Sequence, residues 1–244
     1  MMKLGKKPAV FDPKTKKLTL PLKTIINNPP ENINWINGVS WPMWKNDEIG
    51  CCTQVSVASA IRTWNFNEGS NVLLTDDMVV KNYSDESGYT PSNPNSDQGA
   101  METDVLKRWV NIGYQTPSGI NKLIDFGFVN PRNQKAVQRA IYLLGGLYVG
   151  ISVPQFAMEV QNKTWNVENI NTEIVGGHAI YLHGYDDAYL YLNTWGSEWK
   201  MSWEFFNKYC DEAYGLVSED WLNTNKNSPI GENLDTLIQE LNSL

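Results

Sequence analysis

One stretch of the chain, residues 46–64 (NDEIGCCTQVSVASAIRTW), constrains the fold more than any other. A polar turn leads into two adjacent cysteines, and apolar residues then recur at three-residue spacing up to Trp64. That spacing predicts a helix with one buried face. A thiol at a helix N-terminus ionises readily, because unpaired N–H groups and the helix dipole favour negative charge there. The stretch therefore indicates either a nucleophilic cysteine or a buried helix that merely carries cysteine.

Charge is distributed unevenly along the sequence. The first 23 residues contain seven lysines and one acidic residue, Asp12, whereas the whole chain has a net charge of −7. An acidic body argues against nucleic-acid binding. We expect the basic arm to contact an acidic protein partner or to be a solvated tail.

The same composition bears on location. No apolar run is long enough to span a bilayer, and the lysine-rich start does not resemble a signal peptide, so no membrane association is expected. Three cysteines, two of them adjacent, cannot form a disulfide framework and fit a reducing compartment. A cytoplasmic protein is the expectation.

Helical patterns precede strand patterns along the chain, an order typical of an α+β protein with segregated lobes. The predicted helices after the cysteine stretch run from a Thr75 cap to before Ser84, over 101–112 and over 131–144. Residues 147–154 and a hairpin within 176–196 are predicted strands. We divide the chain into an N-terminal arm and extended lead-in (1–45), a helical lobe (46–120), a β lobe (121–222) and a C-terminal tail helix (223–244).

The chain has two histidines, His178 and His183, both on one predicted strand. Side chains alternate along a strand, so this odd separation should place them on opposite faces, with one of them toward the cysteine helix. Asn193 follows on the returning strand, where its amide is expected to fix the His178 tautomer. Cys, His and Asn occur in an order known for activated thiols. The alternative is a core histidine with an asparagine in a turn.

A zinc site is disfavoured. Its ligands would be Cys51, Cys52, His178 and His183, but the two histidines should face apart and no spaced ligand pair exists. Cys210, in an aromatic segment, is expected to be a core thiol. We therefore expect no metal and no cofactor.

Several blocks of the sequence resemble the papain-like cysteine peptidases, and together they cover most of the chain. Papain-like proteins of bacteria and bacteriophages also share the lysine-rich start. The blocks are Gly50-Cys51-Cys52-Thr53 (family Gly-Ser-Cys-Trp), 74–80 (Leu-Ser-Glu-Gln-x-Leu-Val), 97–99 (Asn-Gly-Gly), 177–185 (His-Ala-Val…Gly-Tyr) and 193–199 (Asn-Ser-Trp-Gly-x-x-Trp). The resemblance implies an α+β, papain-like two-lobe fold, with the nucleophile helix in one lobe and His and Asn in a β-barrel-like lobe.

The resemblance also implies a thiol hydrolase that cleaves peptide or related amide bonds. Cys52 would be the nucleophile, His178 the base and Asn193 its orienting residue. Asn46 stands where the family has its oxyanion-hole glutamine and is one methylene shorter. Loss of an oxyanion donor typically costs about a hundred- to a thousandfold in rate. The alternative is therefore a catalytically weak or silent papain-fold binding or assembly protein, such as a phage structural component associated with the virion.

The family pattern implies a cleft for a peptide or protein substrate. Asp97, Gln98, Gly99 and Gly177 would line it, and Trp195 would shield the histidine–asparagine hydrogen bond. About 45 residues precede the nucleophile turn, which is short for an inhibitory propeptide. We therefore expect residues 1–30 to lie outside the cleft, and the Cys52 pKa to lie between about 3.5 and 7.5.

Overall fold

A computed structural model describes residues 2–10, 15, 29–168, 170–233 and 235. Its α-helices are α1 (Cys52–Asn67), α2 (Asp76–Ser87), α3 (Glu102–Asn111), α4 (Gln134–Leu144) and α5 (Trp203–Tyr209). Within this part of the chain no helix is long and apolar enough to cross a membrane. The predicted tail helix through Leu234 and Leu241 lies almost entirely outside the described residues.

Most of the strands lie in the second half of the chain, after α1, α2 and α3, in agreement with the α+β prediction. They are β1 (Ile33–Asn34), β2 (Tyr114–Thr116), β3 (Gly119–Asn121), β4 (Asp125–Phe128), β5 (Leu147–Pro154), β6 (Thr164–Trp165), β7 (Ile174–Tyr185), β8 (Tyr189–Thr194), β9 (Ser197–Ser202) and β10 (Cys210–Val217). The main sheet has the order β4-β10-β5-β7-β8-β9-β6, with β1 added to β7. The α+β fold class is confirmed.

Strand β7 is the centre of this sheet. It pairs antiparallel with β5 on one side and with β8 on the other. The β7–β8 pair is the predicted hairpin, and its register is interrupted between Leu182 and Gly184. His183 lies within this interruption and His178 lies outside it, so the two histidines have different surroundings.

Helix α1 is buried far beyond the single apolar face that its sequence predicted. Every residue from Cys52 to Trp64 is buried. The Trp64 indole donates to the Leu144 carbonyl at 2.9 Å and stacks on Trp109 with ring centroids 5.8 Å apart. Its edge also meets Tyr181 of β7. The helix is therefore fixed between the other helices and the sheet, which explains its small residues: larger ones would hold the layers apart.

Two hydrophobic clusters fill the interior. One surrounds α1, α2 and α3 and reaches the sheet at Ala179 and Tyr181, and the other lies between the sheet, α4 and α5. The two clusters do not decide the predicted lobe boundaries at residues 46–120 and 121–222, because α1, in the first cluster, packs directly on β7. These boundaries stay a prediction.

Helix α2 begins as predicted but ends later. The Thr75 hydroxyl accepts the Met78 N–H at 3.2 Å and so caps the first turn. The helix continues to Ser87, because Tyr83 is buried and Gly88 is the first residue in the left-handed conformation (φ 77°) that terminates a helix. The prediction that the helix ends before Ser84 was wrong.

Thr75→Ala should therefore lower the free energy of unfolding by about 1 kcal/mol, because it leaves the Met78 N–H without its cap. Urea unfolding followed by circular dichroism measures this change. Thr224→Ala, at an exposed turn position, is the matched control and should stay within about 0.5 kcal/mol of the wild type. Equal losses in the two variants would contradict the capping role.

Candidate active site

The Cys52 thiol lies at the first residue of α1, as its sequence position predicts. Cys51 occupies the N-cap position, and its thiol donates to the Trp44 carbonyl at 3.4 Å. The Cys52 sulfur accepts the N–H of Ala179 at 3.4 Å, across 127 residues of sequence. This bond brings the helix N-terminus to the strand position next to His178.

His178 is fully buried against the turn that follows β8. Its Nε2 shares a 2.7 Å hydrogen bond with the Thr194 hydroxyl, and its ring stacks on Trp195 with centroids 4.7 Å apart. Trp195 (φ 45°) and Gly196 (φ 70°) both adopt the left-handed conformation. This tight turn places the indole over the imidazole, and the predicted shielding of a His178–Asn193 hydrogen bond by Trp195 stays a prediction.

The hydrogen-bond partner of His178 differs from the predicted one. Asn193 lies opposite Tyr181 in the β7–β8 register. Since successive side chains alternate between faces, His178, three residues before Tyr181, shares its face with Thr194 instead. The predicted His178–Asn193 hydrogen bond is thus replaced by one from Thr194. Both atoms of the Asn193 amide are buried and have no hydrogen-bond partner in the described part of the chain.

Asn46 is held in place by an unusual turn. Trp44 (φ 51°) and Lys45 (φ 62°) are consecutive non-glycine residues in the left-handed region, a costly arrangement that clusters at functional sites. The Asn46 N–H donates to the Met43 carbonyl at 3.0 Å. Its side-chain amide is buried, and neither of its polar atoms has a partner among the described residues. The hydrogen-bonding capacity of this buried amide is therefore unused in this arrangement.

Asp97 connects the cleft wall to the turn before the cysteines. Its carboxylate accepts the Gly50 N–H at 3.0 and 3.1 Å and the Tyr83 hydroxyl at 2.7 Å. The exposed Gln98 side chain donates to the Asn95 carbonyl at 2.9 Å. The side chains of Asp97 and Gln98 thus bond to neighbouring parts of the protein, and the backbone at Gly99 and Ala100 forms the cleft surface.

Residues 4–7 of the arm lie in this cleft, between the wall at 97–100 and strand β7. The Lys6 N–H donates to the Gly177 carbonyl at 3.0 Å, the Lys7 N–H to the Ala100 carbonyl at 2.9 Å, and the Ala100 N–H to the Gly5 carbonyl at 2.9 Å. The prediction that residues 1–30 lie outside the cleft was wrong for residues 4–7, while residues 11–14 and 16–28 lie outside the described residues. The backbone of the arm satisfies polar groups on both edges of the cleft. The length of the arm, on which the prediction was based, does not reveal these hydrogen bonds.

Gly5 is the closest point of this contact. A Cβ atom on Gly5 would lie 1.8 Å from the Gly50 carbonyl oxygen, and one on Gly99 would lie 2.1 Å from the Gly5 oxygen. Only glycine at these positions lets the three backbone segments approach so closely. The Gly5 N–H also lies close enough to the Cys52 thiol to lower its pKa. The arm therefore presents an N–H to the thiol, while the Gly5 carbonyl is bonded to Ala100.

Burial sets the protonation states of the site. It raises the Cys52 pKa to about 11, although the N–H groups of Ala179 and Gly5 act in the opposite direction. Burial also lowers the pKa of His178 to about 3. The predicted lowering of the Cys52 pKa is thus reversed in this arrangement, because the sulfur is excluded from water. At neutral pH both groups are uncharged.

The remaining thiols and the second histidine lie elsewhere. His183 Nδ1 is 2.9 Å from Asn34 Oδ1, and its ring stacks on Trp41. The Cys210 thiol is buried and donates to the Glu212 carbonyl at 3.3 Å. Within the described ranges, no group of three or more His, Cys, Asp and Glu residues could hold a metal ion.

A buried helix that begins at a cysteine and packs on an antiparallel sheet carrying a histidine is the papain-like peptidase fold. Solved structures support that class. Xylellain, a cysteine protease from Xylella fastidiosa, matches with a TM-score of 0.71 at 16% identity, over 89% of this chain and 96% of xylellain. The Carica candamarcensis cysteine protease CMS1MS2, in complex with E-64, matches with a TM-score of 0.57 at 14% identity, over 78% and 99% of the two chains.

At these identities the likeness shows the fold, and it confirms the predicted papain-like architecture. No protein-family model matches the sequence, and no curated protein matches it.

Displacing the arm should expose the thiol. Lys6→Glu places a further carboxylate beside Asp211 and Glu212, which now pair with Lys6, so like-charge repulsion should expel the arm. We expect iodoacetamide to label Cys52 at least about tenfold faster at pH 7, since each unit of pKa below 11 gives tenfold more thiolate. Peptide mapping by mass spectrometry identifies the labelled cysteine.

Lys3→Glu is the matched control, because it makes the same charge change at an exposed arm residue. It should leave the labelling rate at the wild-type value. Equal rates in Lys6→Glu and the wild type would mean that the arm does not protect the thiol.

Proposed function

We propose that the protein is a papain-like thiol hydrolase that cleaves peptide or related amide bonds, with Cys52 as nucleophile and His178 as base. The observation that carries this proposal is the 3.4 Å hydrogen bond from the Ala179 N–H to the Cys52 sulfur. It joins a helix N-terminus, which favours a thiolate, to the residue after a histidine. The fold shared with cysteine proteases supports the same reaction.

The reaction begins once the arm has left the cleft. Water and substrate then replace the Gly5 backbone at the sulfur, and the burial that holds Cys52 and His178 neutral is relieved. The thiol proton passes to the imidazole, and the thiolate attacks the amide carbonyl carbon. A C–S bond forms, the C–N bond breaks, and the imidazolium gives its proton to the leaving amine. Water then hydrolyses the thioester with His178 again as base.

Two groups stabilise the negative oxygen of the tetrahedral intermediate in this proposal. One is the Cys52 backbone N–H, which is unpaired within the helix because it belongs to the first turn. The other is the Asn46 side-chain amide, buried and held by the strained turn at Trp44 and Lys45. Its fixed position compensates for its shorter side chain, because preorganised donors need no reorganisation during the reaction.

The imidazole is oriented from the β8 side. Thr194 provides the observed hydrogen bond, and Trp195 covers the ring. Asn193 has a buried amide with free hydrogen-bonding capacity, and in this proposal it becomes a second orienting group only if the β7–β8 register changes when the arm leaves. In the open state the backbone of Asp97, Gln98, Gly99 and Gly177 binds the substrate, where the arm lies now.

The arm-displaced Lys6→Glu protein is the form in which to test turnover. It should cleave a fluorogenic peptide mixture, and adding Cys52→Ala or His178→Ala should abolish cleavage. Cys51→Ser is the matched control and should retain activity, because Cys51 precedes the helix. If no peptide is cleaved while a protein partner is still bound, the assembly alternative replaces the hydrolase.

Asn46 variants test the oxyanion role. In the same background, Asn46→Ala should lower kcat by about a hundred- to a thousandfold, the usual cost of losing one such donor. Asn46→Gln restores the longer donor of the family pattern and should preserve or raise kcat. An unchanged kcat in Asn46→Ala would remove Asn46 from the site.

Thr194 is a positioning residue in this proposal. Thr194→Val keeps the side-chain shape but removes the hydroxyl, so the imidazole loses its 2.7 Å partner. We expect a loss of about tenfold to a hundredfold in kcat, the scale of a misplaced catalytic group. The acidic limb of the pH–rate profile should shift, and Thr194→Ser should restore it. If only Asn193→Ala shifts that limb, the orienting role belongs to Asn193.

A further inference from the structure

The side chain of Lys6 is buried inside the protein body although it belongs to the arm. Its ammonium Nζ lies 2.9 Å from Glu212 Oε1 and 3.0 Å from Asp211 Oδ2, and none of its side-chain surface is exposed. Burial alone would lower the pKa of Lys6, but the carboxylates of Glu102, Glu212 and Asp211 raise it above its ordinary value. We call the site formed by these three carboxylates and Gly150 the acidic pocket.

The carboxyl group of Glu102 gives the acidic pocket an acceptor that Lys6 does not use. Its side chain is buried, and neither carboxylate oxygen has a hydrogen-bond partner in the described part of the chain. Burial, followed by the charge of Glu212, raises the Glu102 pKa well above its usual range, while Lys6 opposes the shift. Leaving such a group without a cation nearby is costly. A wider cation with more donors than an ammonium group would find an acceptor here.

The rigid part of the fold makes room for a long alkyl chain. A Cβ atom on Gly150, in β5, would lie 2.0 Å from Lys6 Cε, so a larger residue there would close the acidic pocket. Glu102 opens α3, and Asp211 and Glu212 lie on β10. Every wall group thus comes from a helix or strand of the body, and only the occupant comes from the arm.

The acidic pocket is one residue away from the sulfur. Gly5 is held in the cleft beside Cys52 by its bond to Ala100, and Lys6, the next residue, fills the acidic pocket. Any peptide that runs through the cleft in place of the arm will bring a side chain to the same pocket. An apolar side chain there would leave the buried carboxyl groups of Glu102 and Glu212 without a cation, whereas a cationic side chain would replace the ammonium of Lys6.

We propose that the acidic pocket is a specificity site that binds a lysine or arginine side chain of the substrate, and that Lys6 occupies it in the substrate's absence. This inference rests on the proposed hydrolase function. Lys6 is not itself a substrate residue, because the neighbouring arm group that faces the sulfur is the Gly5 N–H and the Gly5 carbonyl is held by Ala100. Substrate and arm compete for the acidic pocket.

Selectivity is the first test. Full-length Lys6→Glu protein, in which the arm is displaced, is assayed with peptides that differ at one position at a time, carrying lysine, arginine, norleucine or glutamate. At one position we expect kcat/KM to be at least about tenfold higher for lysine or arginine than for norleucine, within the range of coupling measured for buried charge pairs. Glu212→Gln removes one carboxylate of the acidic pocket and should therefore reduce this preference at least about threefold.

Glu219→Gln is the matched control, because Glu219 pairs with Lys226 on the exposed surface. It should leave the preference unchanged. Cleavage in which norleucine serves as well as lysine, or a preference that survives Glu212→Gln, would overturn the specificity site while leaving the hydrolase intact.

A second test needs no catalysis. In full-length Lys6→Ala protein, n-butylammonium carries the four-carbon chain and the ammonium group that the acidic pocket has lost. The amine should raise the Tm of this variant by more than it raises the Tm of the wild type, whereas butanol should not. Adding Glu212→Gln should remove this difference. An amine-dependent shift without any peptide cleavage would support the acidic pocket and reject the hydrolase. Equal responses to the amine and to butanol would overturn the acidic pocket.

Discussion

The packing of α1 against β7 is the interaction on which the rest of the structure depends. It places a helix N-terminus against a strand, with Cys52 on one and His178 on the other. Trp64, at the other end of the buried segment, locks the helix to α4 through its bond to the Leu144 carbonyl. The thiol is therefore positioned by the whole length of a buried helix, which gives the site its rigidity.

Exclusion of water decides the chemical state of this site. The Cys52 pKa is raised to about 11 and the His178 pKa is lowered to about 3, both because of burial. A charged thiolate–imidazolium pair would require either water or a stronger compensating field, because the N–H groups and the Lys6 charge near the sulfur do not offset its burial. In the proposed function, the same residues are inert under the arm and reactive without it, so access to the cleft controls the reaction.

Sequence reasoning predicted the parts of the molecule that local patterns encode. The spacing through Trp64 predicted α1, and the Thr75 cap fixed the start of α2. It could not assign the partner of His178, because the interrupted β7–β8 register decides between Asn193 and Thr194. It also misplaced the arm: Gly5 looks like any loop glycine until Gly50 and Gly99 are brought against it. Both errors concern contacts between distant segments.

The ion pairs of Lys6 give the uneven charge of the chain a specific structural role. A basic arm on an acidic body suggests a general attraction, yet such attraction between exposed groups is weak and screened by salt. The ion pairs of Lys6 differ because its side chain is fully buried, while Lys45 and Lys81 pair with carboxylates at the surface. Burial makes the former selective for both charge and chain length. Since the carboxylates belong to helices and strands of the body, that selectivity remains when the arm leaves.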